Sequence, residues 1–286
     1  MSESTGTGAG DPILRITPYE VAFGGTPVEA DLFPGIATDA AQHGTDPLRL
    51  EAFGMLPAVG DAVRTLVPPE APPEALEQYR ALLYHGFNYW NGGRRTYLVH
   101  PAAARFLVEA QPRMEGWELT APAPALYIQL PHNLFWGSVS PEATPEPVDG
   151  FFLTAAAMTG PRNTPFVRLE VLLVLGLRRD RAGFSVIPFD TEAGPGIAAS
   201  WAEDGSRESG ADFQNVLPGG ELSGLYSVMT VGEVLKLLGR VLWYVDTFPA
   251  DVSEEITPVA PAGDAPAGLR PSRIPYHLVT LGAEDR

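Results

Sequence analysis

The sequence contains no cysteine. That absence excludes disulfide staples, thiolate metal sites, iron–sulfur clusters and cysteine nucleophiles together, and it removes any redox clue to compartment. Lysine occurs once, as Lys236, and 35 acidic against 19 basic residues give a net charge of −16. A chain so charged repels nucleic acid and anionic lipid, so neither partner is expected. No apolar run approaches the roughly 18 residues of a bilayer span, so no membrane association is expected either. Histidine is scarce: His43, His85, His100, His132 and His277 never fall within five residues of one another. No local His-x-x-x-His pair exists, and neither a metal nor a cofactor is expected.

Local catalytic signatures are missing too. Gly220-Glu-Leu-Ser223-Gly224 has the wrong glycine spacing for a nucleophile elbow, so no serine is raised on the sharp turn that acyl transfer uses. Lys236 is preceded by leucine instead of the glycine of a phosphate-binding loop. Gly194-Pro195-Gly196 reads as a flexible loop, because no dinucleotide-binding strand is due after it.

What is present is ordinary globular composition. Over 286 residues, 45% are hydrophobic and 19% charged, while 30 glycines and 29 prolines call for many loops. That is enough length for a sizeable core. The leader Met-Ser-Glu-Ser-Thr-Gly-Thr-Gly-Ala-Gly has neither a basic nor an apolar stretch; it reads as a flexible segment over residues 1–11, with cytoplasm as the default location. The first 50 residues look like an extended arm. Residues 47–67 suggest a helix around Leu50, Phe53, Val59, Val63 and Leu66, weakened by Gly54, Pro57 and Gly60.

A better specified helix runs over about 74–92, entered through Pro72-Pro73 and stopped by Gly92-Gly93. Leu76, Tyr79, Leu83, Gly86 and Trp90 make its apolar stripe. A strand over 96–99 and a helix from Pro101 to about Ala110 follow. Leu126, Ile128 and Leu130 alternate with Tyr127 and Gln129, the pattern of a half-buried strand. Leu134–Trp136, Phe151–Leu153 after a turn at Asp149-Gly150, and Phe166–Leu177 add further strands. In the last, Arg168 and Glu170 share a face with Leu172 and Val174. Arg179–Gly183 reads as a hairpin connection into Phe184–Phe189.

Residues 190–223 lose the pattern and hold seven acids against Arg207 alone; they read as a long acidic loop. Thr230-Val-Gly-Glu233 is a capping box opening a helix over 230–247, with Val231, Val234, Leu235, Leu238, Val241, Leu242 and Val245 on its wide apolar face. Residues 249–272 read as a Pro/Ala-rich linker, and Tyr276–Leu281 as a strand returning to a sheet edge.

The expected architecture is therefore one α+β domain. A mainly antiparallel sheet over about 125–190 plus a C-terminal strand is covered, on one side, by the 74–92 and 230–247 helices. Its most suggestive segment is Tyr84–Arg95. His85, Asn88 and Tyr89 are neighbours at helical spacing, beside Trp90 and the pair Arg94-Arg95. Tyr89, Trp90, Arg94 and Arg95 are candidate anchors for a protein partner or self-association. The bland alternative has the aromatics packed under the sheet and the arginines capping the helix. Asp149, Glu170, Asp190 and Glu192 can converge as an acid/base group; otherwise they serve a turn, a solvated face and a strand end. Two function classes follow: a non-catalytic accessory or scaffold protein, and a hydrolase-like enzyme of small molecules. The second draws on His85, Asn88 and distant carboxylates. The missing catalytic signatures favour the first.

Overall fold

The computed structural model describes residues 16–109, 114, 117–140, 142–177, 183–193, 225–228, 230–258 and 272–282. Its strands are β1 (Arg95–Val99), β2 (Ala125–Gln129), β3 (Phe135–Gly137), β4 (Glu146–Thr159), β5 (Pro165–Leu175), β6 (Ser185–Ala193), β7 (Tyr226–Ser227) and β8 (His277–Val279). Its α-helices are α1 (Pro18–Ala22), α2 (Phe33–His43), α3 (Leu50–Gly54), α4 (Pro57–Leu66), α5 (Pro73–Asn91), α6 (Pro101–Glu109) and α7 (Val231–Thr247). The fold is α+β, built on a mixed sheet in the order β6-β5-β4-β2-β1-β8, with β3 paired to β4 and β7 paired to β3.

Where connections are short the strands run antiparallel, as in β4–β5 and β5–β6. β1 differs, lying parallel to both β2 and β8. The chain from β1 to β2 passes through α6, and a crossover of that length is what parallel pairing needs. The C-terminal strand pairs at the sheet edge, as the sequence suggests. At the other edge β6 carries Pro188, whose missing N–H is tolerable there.

The two long helices lie on opposite faces, which corrects the one-sided arrangement. α6 and α7 cover Leu126, Ile128, Leu153 and Val171, while α5 with the N-terminal helices covers Tyr127, Phe152, Leu172 and Val174. This explains why all five residues of β2 are buried instead of alternating. The first 50 residues are not an arm over residues 16–43. Tyr19, Phe23, Phe33 and Ile36 are buried in the second core. Residues 47–67 form two helices because Pro57 opens a new one after Met55-Leu56.

Asp149-Gly150 is not a turn. The pair sits inside β4 where the register shifts, and a methyl group on Gly150 would strike the Ile128 carbonyl. The linker reading fails over residues 249–258: Val252 and Ile256 bridge to Val279 and Tyr276. Residues 259–271, the leader over 1–11, the connection over 178–182 and the acidic loop from 194 to 223 lie outside the described residues.

Candidate functional site

Helix α5 is the element that positions the polar residues. Its first half is largely exposed, and its second half, Leu83 through Tyr89, is buried on every side. The sheet lies under it and α1 lies over it. Gly86 makes this approach possible, because a methyl group there would run into the Phe23 ring. The helical spacing of His85, Asn88 and Tyr89 does not gather them into one site. Each reaches a different partner.

His85 lies over the sheet with Nδ1 hydrogen-bonded to the Thr154 hydroxyl at 3.2 Å. Complete burial pushes its pKa down to about 3, so the imidazole is neutral at physiological pH. Asn88 donates from Nδ2 to the Pro47 carbonyl at 3.0 Å and to the Tyr84 carbonyl at 3.1 Å. Its Oδ1 is buried without a hydrogen-bond partner among the described residues. Tyr89 is 1% exposed and shares a 2.6 Å hydrogen bond with Thr96 of β1. In this fold it offers no area to a partner.

Past the helix end, Arg94 adopts a left-handed backbone with φ of 59°. Its guanidinium pairs with Glu29 at 2.5 Å and lies over the Tyr19 ring, 5.2 Å from the centroid. Tyr19 donates from its hydroxyl to the same Glu29 at 2.8 Å. Arg94 thus clamps the N-terminal helices onto the end of α5. Arg95 turns the other way, its Nη1 lying 3.0 Å from Nε2 of His277. His277 stacks on Tyr97, and its Nδ1 lies 3.0 Å from the Ser253 carbonyl. A ring that donates from Nδ1 to the carbonyl leaves Nε2 to accept from the arginine. Trp90 is partly buried against Phe33 and Phe87.

The residues that do converge lie on the sheet beneath α5. Thr154, Glu170 and Asp190 stand in register across β4, β5 and β6. Arg168, two residues before Glu170 and therefore on the same face, contacts three carboxylates from three elements. They are Glu170 at 2.9 Å, Asp190 at 3.1 Å and Glu51 of α3 at 3.1 Å. Glu170 is the enclosed member, its side chain 7% exposed against 53% for Asp190 and 58% for Glu51. Burial pushes its carboxyl up to about 7; Arg168 pulls it back, while Asp190 and Glu51 add to the rise. Above them, Tyr84 donates to the Leu48 carbonyl at 2.6 Å. Burial, with Glu170 nearby, keeps this phenol protonated well past its usual range.

Glu170 is therefore not on a solvated face, and Asp190 lies within β6 instead of capping its end. Asp149 accepts a hydrogen bond from the Tyr127 hydroxyl, away from this group. Among the described residues no three metal-ligating side chains gather into a cation site. Thr154, Arg168 and Glu51 were not candidates from the sequence, and Tyr84 entered only as the first residue of the Tyr84–Arg95 segment. The available signal was Arg168-x-Glu170, two charges on one face of a strand that is otherwise apolar.

No protein-family model matches the chain, and no curated protein matches it. The solved structure "Crystal structure of AcrVA2" aligns with 91% of this chain and 81% of its own, at 11% identity and a TM-score of 0.46. A likeness that distant carries no function across.

Proposed function

We propose that the chain is a non-catalytic accessory protein that engages a basic protein surface through the outer face of its N-terminal helical layer, residues 16–91. The observation that carries this reading is the coincidence of charge and exposed apolar area on that layer. Residues 16–91 hold ten acids and three arginines, and two of the acids, Glu29 and Glu51, are paired with Arg94 and Arg168. Each arginine is tied to the acid three residues before it: Arg49 to Asp46, Arg64 to Asp61 and Arg80 to Glu77. Asp31, Glu70 and Glu74 are exposed. Leu50, Met55 and Tyr79 are exposed on the same layer, Met55 to 79%. Apolar anchors inside a charged rim are the usual anatomy of a protein interface. Two such acidic faces repel each other, so self-association through them is disfavoured.

The enclosure of the polar residues supports the same reading. His85 and Asn88 tie α5 to its neighbours, Glu170 pairs with Arg168 on its own strand, and all three are buried. The test is charge reversal at Asp31, Glu70 and Glu74 to lysine. The reading expects the variant to fold with an unchanged melting temperature and to lose its partner, with wild-type capture weakening steeply as salt rises. Capture that survives both reversal and high salt contradicts it.

A hydrolase-like second reading has one observation in its favour. Glu170, at about 7, is tuned to the range of a general acid or base, close to the Tyr84 hydroxyl. It requires α3 to move aside to admit a substrate. Turnover abolished by His85→Gln or Glu170→Gln, with partner capture intact, would establish it in place of the first.

A further inference from the structure

The Arg168 group does more than join two strands, because Glu51 brings α3 into it. We propose that this group is a proton-operated latch fastening residues 46–54 to the sheet, closed while Glu170 carries a proton and loosened when the proton leaves.

The groups that face Glu170 come from four elements. Arg168 lies on its own strand, Asp190 on β6 with Glu192 opposite Arg168 one pair further, and Glu51 on α3. Tyr84 approaches from α5, with His85 behind Thr154, and Asp46 precedes α3. One guanidinium cannot neutralise three carboxylates. Two of the three, Glu51 and Asp190, are more than half exposed and are screened by water. Glu170 is enclosed, so the proton settles there.

With Glu170 neutral, the guanidinium charge is divided between Glu51 and Asp190, and α3 is held. With Glu170 ionised, a third carboxylate draws on the same cation, and Glu51 meets a second negative charge across it. The other ties of this segment do not titrate near neutrality. They are the hydrogen bonds from Tyr84 to Leu48 and from Asn88 to Pro47, and the buried Phe53 ring. Lifting the segment lets water reach Glu170 and returns it to an ordinary carboxyl. Opening therefore releases a proton, and its equilibrium rises with pH from the ordinary carboxylate value of 4.5 to about 7, then levels off.

Amide hydrogen exchange on the full chain tests this, with protection factors corrected for the intrinsic rate between about pH 5 and about pH 8. Opening at the amides of residues 48–54 should increase by about tenfold or more across that range. Amides of α7, on the opposite face, should change less. Glu170→Gln should flatten the response, and Glu51→Gln should leave the segment loosened at every pH. An independent reading on the unaltered chain is the Glu170 carboxyl carbon resonance, expected to titrate near neutrality. Titration in the ordinary carboxylate range overturns the latch. So does a wild-type response that persists in Glu170→Gln, or one of equal size in α7.

Discussion

Two buried groups beneath α5 pull the pH dependence of stability in opposite directions. His85 is neutral in the fold down to about 3, while an unfolded histidine gains its proton near 6.5. The unfolded chain binds the extra proton in between, so stability falls as pH drops through that interval. Glu170 holds its proton up to about 7, while an unfolded carboxyl loses it near 4.5. Here the folded chain binds the extra proton, so stability falls as pH rises through that second interval. The two slopes oppose each other where the intervals overlap. Melting temperature should therefore plateau in mildly acid solution as far as these groups decide it. Glu170→Gln should remove the decline on the neutral side, and His85→Gln the decline on the acid side; variants with wild-type profiles would contradict the assignment. Gly86 offers a purely steric test. Gly86→Ala sets a methyl group against the Phe23 ring, so a loss of about 1–3 kcal/mol is expected by chemical denaturation. No loss would mean that α1 does not dock there.

At the scale of elements, α7 is the best specified. Thr230 accepts from the Glu233 amide at 3.2 Å, and Glu233 accepts from the Thr230 amide at 2.8 Å, completing the capping box. Leu238 is buried in the first core. Thr230→Ala should cost about 0.5–2 kcal/mol, and Leu238→Ala about 2–5 kcal/mol, both read from denaturant midpoints. α7, α5 and most strands were legible because their caps and periodicities are local. The N-terminal helices were harder to read, since Gly24, Gly25 and Pro27 break them into short pieces. Tyr19 and Phe23 are four apart, and Phe33, Ile36 and Ala40 recur at three and four; that spacing is helical, and the breaks hide it. Asp149-Gly150 has turn composition but serves a bulge, because Gly150 must pass close to a neighbouring carbonyl. The parallel placement of β1 and the opposite faces of α5 and α7 depend on long-range pairing that local periodicity does not encode. The Arg168 group was half visible: its two β5 members lie two residues apart, while Glu51 and Asp190 arrive from distant segments.

Among the described residues the sheet divides two main cores, with chemistry-bearing polar residues enclosed between the sheet and the acidic N-terminal layer. Among the described residues no helix is long and apolar enough to cross a membrane. With a net charge of −16, no appreciable retention of duplex DNA is expected at physiological salt, and tight salt-sensitive binding in a gel-shift assay would contradict that. The proposed mode of action, through the outside of residues 16–91 and not through His85 and Glu170, is open to photo-crosslinking in cells, with a photoreactive side chain placed at Met55 in one variant and at exposed Val231 of α7 in another. A discrete protein adduct is expected from position 55 that disappears on charge reversal at Asp31, Glu70 and Glu74, and none from position 231. An adduct from position 231 alone, or one from position 55 indifferent to charge reversal, would contradict it.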